Sequence, residues 1–356
     1  MASETRTVAT PLPEVRLARR AWRPAVVVAA SVAGLVLVLV LGVGAGSVAI
    51  APGDTIAILA HRLLGLPVGA TWSPTAETIV MDLRLPRVLS AMLVGAGLAV
   101  AGATFQGILR NPLADPYVLG TASGAALGAA LAVLIPVRLL VLELGLLNVL
   151  AFVGAVATVL VVYRIGRGGG LTGLILTGYA VGSLLAAGLA MAMYLSGANL
   201  RQIFAFLLGG FDGASWLRLG IAFPLVVGGS LAIVARSRAL NGLLLGDEAA
   251  SHLGVAVRRE RAILLGLASL VTAAGVAISG LIGFVGLLVP HLVRMVTGPD
   301  ARRVLPVSAV VGAVLLGGAD LAARLAGDIP VGVVTALIGA PAFVVLLRRT
   351  RTGYEL

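Results

Sequence analysis

The chain has 356 residues, 59% of them hydrophobic and 12% charged, with a mean hydropathy of +1.08. No soluble fold accounts for that balance, and repeated uncharged runs near the ~20 residues of a bilayer crossing predict an all-α, polytopic membrane bundle. Cysteine and lysine are both absent, which excludes disulfides, thiolate-held metals, a Schiff-base nucleophile and a lysine-bearing phosphate loop, so any ATP must be bound by another subunit. The formal charge of +11 rests on arginine alone; scattered between apolar runs, arginines set membrane orientation and do not predict nucleic-acid binding.

Residues 1–23 form a polar tail in which Arg16, Arg19, Arg20 and Arg23 crowd the start of the run from Pro24 to Ile50. That run is too long for a signal-peptide core and reads as an uncleaved first span. Asp54 to Asp82, with its prolines and Trp72, reads as a loop with a short interfacial helix. Val88–Leu109, bounded by Arg87 and Arg110, is the second span. Tyr117–Val137, Leu139–Tyr163 (with Glu143 near one end), Leu171–Leu200 and Leu219–Ala235 give spans three to six.

Ala262 to Val293 is a run of 32 residues without Asp, Glu or Arg. As one helix it would be about 48 Å long, too much for a ~30 Å hydrocarbon core, and Ser279-Gly280 and Gly283 offer a place to turn. With the N-terminus inside, two crossings here put 19 arginines inside and 7 outside, whereas one crossing gives 14 and 12. The positive-inside rule therefore favours two, both short. Pro306–Leu321 and Val331–Leu347 complete about ten transmembrane helices with both termini cytoplasmic. The expected organisation is a tail (1–23), one transmembrane domain (24–348) carrying a cytoplasmic segment (236–261), and a short tail (349–356). Small-xxx-small spacings at Gly124/Gly128, Gly178/Gly182 and Gly209/Gly213 suit close helix packing. Gly166 to Gly170 reads as a flexible turn, because no Lys-Ser/Thr follows it.

Arg236 to Arg261 is the longest polar island in the chain. It reads as one or two short amphipathic helices, with Asp247 and Glu248 in a first turn where carboxylates suit the helix dipole, and Gly254 as a stop. Leu243, Leu244, Leu245 and Leu253 at helical spacing give it an apolar face that a merely solvated loop does not need. The deep parts of the spans offer little chemistry. His61, His252 and His291 lie in separate segments without a carboxylate at ligand spacing, so no metal site is expected, and no G-x-S-x-G elbow or other catalytic set is present. Span five holds Thr177, Tyr179, Ser183, Met191 and Met193 as its central polar or adaptable groups. Ion-coupled carriers keep buried carboxylates near the midplane. Glu143 and Asp320 fall near the outer ends of their spans, which fits a wide conduit powered from outside the chain.

Three stretches resemble the FecCD-type permease family of binding-protein-dependent ABC importers for iron-siderophores, haem and cobalamin. They are Arg84 to Arg87 (RLPR) with Gln106 to Pro116 (QGILRNPLADP) and Leu119-Gly120; Gly246 to Ala249 (GDEA) with Leu253-Gly254; and Gly280 to Leu287 (GLIGFVGL) with Pro290-His291, Arg294, Ala319-Asp320, Arg324, Ile329 to Gly332 and Gly339 to Pro341. The resemblance implies a transport subunit, not an enzyme and without a cofactor, in the cell membrane. Its implied partners are a second permease copy or paralogue, two cytoplasmic ATPases, an extracytoplasmic binding protein and lipid. The cargo would be an iron-siderophore-like chelate, or alternatively cobalamin or haem. Asp247, Glu248, Ala249, Leu253 and Gly254 would dock on the ATPase. Arg84, Arg87 and Arg324 would meet acidic residues of the binding protein at the rim, although snorkelling or local pairing with Asp82 and Asp320 accounts for them equally well. Thr177, Gly178, Gly182 and Ser183 would line a conduit between two subunits. His291 would be structural, in a Pro-His turn at the inner face, and Asn111 and Asp115 would satisfy helix ends between spans two and three.

Overall fold

The computed structural model describes residues 24–351 apart from 47, 68, 70, 71, 136–139, 142 and 143; both tails, and Glu143, lie outside the described residues. Fifteen α-helices follow in order: α1 (Pro24–Gly44), α2 (Pro52–Leu64), α3 (Pro74–Thr78), α4 (Leu85–Ile108), α5 (Thr121–Leu134), α6 (Leu146–Gly166), α7 (Gly170–Leu195), α8 (Leu200–Leu208), α9 (Trp216–Ala235), α10 (Ser237–Leu244), α11 (Asp247–His252), α12 (Val257–Ser279), α13 (Val285–Thr297), α14 (Ala301–Leu325) and α15 (Val331–Arg351). Among the described residues the only strands are β1 (Leu140–Val141) and β2 (Leu144–Gly145), an antiparallel pair ahead of α6.

Five continuous helical stretches are long and apolar enough to cross a membrane, and shorter apolar helices cover 29–44, 121–134, 285–297 and 331–346. One of the five, Leu146–Leu195, is 50 residues long, about 75 Å if straight. It doubles back at Arg167–Gly169, where Gly166 and Gly173 meet so closely that a methyl group on either would touch the other's carbonyl. Counting it twice gives six long and four short crossings, the ten expected.

α4 is the axis of the bundle. Its sequence is apolar all round, which suits a helix enclosed on every side, and α9, α12, α13 and α14 all pack on it. Its glycines allow the closest approaches: a methyl group on Gly95 would lie 2.2 Å from the Gly312 carbonyl oxygen of α14, and one on Gly102 would lie 1.9 Å from that of Gly286 in α13. α5, α6 and α7 form a second packed group. Gly124 and Gly128 meet Gly154 and Leu150 of α6, while Gly178 and Gly182 rest on residues 118–123. Gly209/Gly213, in contrast, is no helix pair, since both residues lie in the loop between α8 and α9.

The structure moves several predicted boundaries. The second crossing starts well before Val88, because Pro74 to Ile108 is one helix of 35 residues joined by a π-helical stretch at Ile79–Arg84. Pro86 has no N–H for the preceding turn, and the wider π turn absorbs that missing bond, so RLPR lies within the helix. α14 begins at Ala301 rather than Pro306, with the Asp300 side chain capping it. α12 takes up the end of the polar island and is a full 23-residue crossing rather than a short one.

The return crossing is broken. From Gly280 the chain runs non-helically to Phe284, which has φ +68°, and only then enters α13. The unwound backbone finds partners inside the protein: Gly210 N–H donates to Ser279 O (2.8 Å), Leu281 N–H to Phe206 O (3.1 Å) and the Tyr117 hydroxyl to Ile282 O (3.0 Å). Non-helical backbone at membrane depth requires this kind of shelter. Pro290 and His291 sit within α13, so the Pro-His turn expected there is a helix interior.

α4 runs from one end of the bundle, where Arg84, Arg87, Asp320 and Arg324 gather, to the end that carries α10 and α11. α1 reaches the arginine end with Gly42 to Ala45, and α15 starts just after α14 ends there. The start of α1 and the end of α15 therefore lie at the α10–α11 end.

Candidate functional site

The polar island is an excursion of the chain closed at its neck, where one Arg236 guanidinium nitrogen donates to both oxygens of Glu260 at 2.8 Å. Within it α10 turns its apolar side inward, with Leu240 and Leu243 buried and Leu240 seated on Gly107 at the end of α4. Asn241 then binds the bundle twice, donating to Asp300 Oδ1 (2.7 Å) and accepting from Ala301 N–H (2.8 Å). The Asn241 contact, the Arg302 amide and the adjacent Arg302 and Arg303 charges hold the Asp300 carboxyl below its ordinary range.

Gly246 (φ +105°) caps the start of α11, and Gly254 (φ +78°), two residues past its last residue His252, closes the turn that ends it, close to the stop expected. Asp247 and Glu248 occupy its first turn, and Asp247 accepts from Arg261 at 2.5 Å while half exposed. Ala250 is buried, whereas Leu245 and Leu253 are 66% and 65% exposed. These two leucines flank a groove of about 480 Å³ that also touches Gly254 and Val255. The island thus divides its leucines, spending Leu240 and Leu243 on the bundle and presenting Leu245 and Leu253 outward. Asp247, Glu248, Ala249, Leu253 and Gly254 lie together on this one surface element.

The three arginines expected at the rim do cluster, but mostly as internal ties. Arg84 is buried and donates to the carbonyls of Val43 (3.2 Å), Gly44 (2.8 Å) and Val48. Arg324, with its side chain 6% exposed, donates to Asp320 (3.1 Å), Ala45 O (2.9 Å) and Gly42 O (2.8 Å). Both guanidiniums serve carbonyls around the C-terminal end of α1, which the helix itself leaves unpaired. The expected rim exposure is therefore corrected for Arg84 and Arg324. Asp82 is exposed and pairs with none of the three among the described residues. Arg87 differs: it donates to the buried Asp320 (2.9 Å) and reaches out to Asp212 (3.0 Å), whose side chain is 82% exposed. Asp212 also lines a cavity of about 1040 Å³ with Asn148, Gln202 and Arg218.

The pathway set divides along α7. Gly178 is buried against Val118 and Leu119, and Gly182 lies beside Gly120 and Ser123, so both pack inside the chain. Thr177 is half-buried. Ser183 is exposed, its hydroxyl bonded to Tyr179 O (2.9 Å), on a face with Leu176, Tyr179 and Leu184.

In the loop between α4 and α5, Asn111 Oδ1 accepts from Leu113 N–H (2.9 Å) and Asp115 Oδ1 from Tyr117 N–H (2.8 Å). They brace the loop's own turns rather than the helix ends expected for them. Burial pushes the Asp115 carboxyl up to about 6 against the lowering effect of the Tyr117 amide. Nearby, buried Gln106 donates to Leu287 O (3.0 Å) and accepts from Arg294, which also donates to Ala103 O (3.1 Å), so α13 is bolted to α4.

Asn241, Glu260, Asp300 and Asp212 are the structural partners that sequence reasoning missed. Asp300 carried a readable signal, an Asp at the N-cap position before a helical run. The others act over long sequence separations and leave no local trace.

Among curated proteins the chain is 45% identical over 301 residues to the cobalamin import system permease protein BtuC of Halobacterium salinarum, covering 83% of this chain and 79% of that one. It is 42% identical over 280 residues to the hemin transport system permease protein HmuU of Yersinia pestis, covering 77% and 84%. Among solved structures it superimposes with a TM-score of 0.80 and 32% identity on a metal-chelate type ABC transporter in an inward-facing conformation, over 92% of this chain and 100% of the other. Residues 34–349 match the FecCD transport family, and with a match of that extent the chain belongs to this family of transport permeases.

Proposed function

We propose that this ABC importer permease carries a metal-bearing macrocycle or chelate into the cytoplasm, between two permease subunits, with ATP hydrolysed by a separate subunit docked on α10–α11 and cargo delivered by an extracytoplasmic binding protein at the arginine end. The carrying observation is α10–α11. Two exposed leucines, Leu245 and Leu253, flank the short helix α11 with its acidic first turn, on a segment that three polar ties, Arg236–Glu260, Arg261–Asp247 and Asn241–Asp300, hold against the bundle. A rigidly mounted apolar patch is what a subunit contact needs in order to transmit force. A gradient-driven carrier is disfavoured by the state of Asp320, a buried carboxylate held between Arg87 and Arg324 rather than free to exchange a proton.

The resemblance alone implies an iron-siderophore-like chelate first, with cobalamin or haem as the alternative. The relatives named for cobalamin and hemin favour a metal tetrapyrrole, and we rank cobalamin or haem ahead of a siderophore. Uptake by reconstituted vesicles carrying the binding protein, compared for cobalamin, haemin and a ferric siderophore, separates the three.

Ala249→Arg tests the coupling role. A bulky charge in the docking contact is expected to abolish cargo-stimulated ATP hydrolysis and uptake while the variant folds normally, since Ala249 is only half-buried. Undiminished uptake in that variant rejects docking at α11.

A further inference from the structure

At the α10–α11 end, the first turns of α12 stand between two depressions. Glu260 lines the leucine groove on one side. Arg258 and Arg261 line a separate cavity of about 830 Å³ on the other, together with Arg164, Arg167 and the glycines of the α6–α7 turn, and with no carboxylate among the described residues. Arg164, Arg167 and Arg258 make no ion pair with any described residue. Arg261 spends one nitrogen on Asp247 of α11, while its Nε is buried without a hydrogen-bond partner among the described residues. Four guanidiniums therefore share one space, and like charges gathered in this way repel unless an anion is supplied from outside. The buried donor points the same way, since its loss of water is uncompensated until an acceptor arrives.

We propose that this cavity receives an acidic segment of the ATPase, as a second docking contact beside α11. The inference rests on the reading that the ATPase docks on α11. That helix has six residues, whereas a stable protein contact takes about 20–30 residues a side, so a subunit seated on the leucine groove covers neighbouring surface as well. The cavity is such a neighbour: Arg261 belongs to its wall and holds Asp247 in the first turn of α11. Its charge fixes the chemistry of what enters, because guanidinium forks take a carboxylate by both oxygens. An uncharged or basic segment would cover four arginines without giving them a counter-charge. The contact also does what the leucine groove cannot. Arg164 lies at the end of α6 and Arg167 in the turn that leads into α7, so an acidic segment bridging them to Arg258 grips the foot of α7 and the start of α12 together. Motion of the ATPase then reaches the conduit helix without passing through α10.

The absence of lysine from the chain supplies the test. In the full-length permease reconstituted with its ATPase, Arg164→Lys or Arg258→Lys puts a single side-chain amine at the cavity with the charge kept, and a carbodiimide joins an amine only to a carboxylate that it touches. Mass spectrometry is expected to find each of these lysines joined to an Asp or Glu of the ATPase. Arg259→Lys, exposed in the first turn of α12 but outside the cavity lining, is expected to stay unjoined. Coupling to the second permease copy instead, or to nothing, overturns the contact. Affinity is the second readout. Arg164→Gln with Arg258→Gln, both exposed, is expected to weaken association of the ATPase at low salt roughly thirtyfold, about fivefold for each arginine, and Arg259→Gln by less than about twofold. A loss at Arg259 equal to that at Arg258 assigns the effect to general charge and overturns the site. Ala249→Arg separates this inference from the reading beneath it. If that variant abolishes association while the arginine pair leaves it unchanged, docking on α11 stands and the cavity contact falls; if neither changes it, both fall.

Discussion

Asp320 has no exposed side-chain surface and holds two arginines, Arg87 from α4 and Arg324 from its own helix, and Arg324 in turn reaches the end of α1 through Gly42 O and Ala45 O. A single carboxylate thus ties three crossings. Asp320→Ala leaves two guanidiniums buried without their counter-charge, and removing one partner of a buried pair costs about 3–5 kcal/mol. The variant is expected to lose that much stability in detergent unfolding, and a change below about 0.5 kcal/mol would show that the arginines are satisfied by carbonyls alone. Asp212 is the complementary case, exposed and pairing, among the described residues, with the outward nitrogen of Arg87. If a carboxylate of the binding protein takes its place on Arg87, Asp212→Asn removes the competitor. Association at low salt is then expected to tighten several-fold without loss of fold stability. An unchanged affinity takes Arg87 out of the docking contact.

The crossings themselves were legible in the sequence, because uncharged runs between arginines are the signal that the bilayer imposes. Their ends were not. Arg84 and Arg87 continue a helix that the hydropathy pattern cuts short, since a guanidinium inside a protein can be met by a carbonyl or a carboxylate from another element, while the exposed Arg302 and Arg303 extend α14 outward behind its Asp300 cap. The break at Gly280 was readable from glycine spacing and arginine parity. That the return crossing begins with an unwound stretch from Gly280 to Phe284 was not, because that stretch depends on Phe206 and Tyr117, far away in sequence. Close helix approach is testable at the same scale. Gly95→Ala would press a methyl group onto the Gly312 carbonyl, whereas Gly266 in α12 has nothing within 4 Å of its added methyl. Gly95→Ala is expected to destabilise by about 1–3 kcal/mol, and Gly266→Ala to be neutral or stabilising by up to about 1 kcal/mol. Equal effects on the thermal midpoint would mean that the α4–α14 contact is not tight.

In the whole molecule, α7 leaves a broad apolar face uncovered: Leu176, Tyr179, Leu184, Tyr194 and Leu195 are 62–85% exposed. The sequence named this helix for the conduit but could not say which side faces out, because a helix that is apolar all round gives no direction. The structure turns Gly178 and Gly182 inward and Tyr179 and Ser183 outward. With no native cysteine to interfere, Tyr179→Cys or Ser183→Cys is expected to crosslink two copies of the permease and Gly178→Cys to fail. Crosslinking through Gly178 alone would reverse the assignment.

α4 has a further consequence in mechanical terms. Its 24 residues make a rod about 36 Å long, gripped by arginines at both extremities: Arg87 lashes it to α14 at one, and Arg294 lashes α13 to it at the other. Leu240 of α10 rests on Gly107, the penultimate residue of that rod. A thrust delivered to α10 from below lands on the tip of a stiff strut that cannot buckle inside its sheath of packed helices. If the ATPase docks at α10 and cargo enters at the arginine end, as proposed, that thrust would emerge at the far extremity as displacement of Arg87 and of everything knotted to Asp320, and the two ends would be joined by one solid piece.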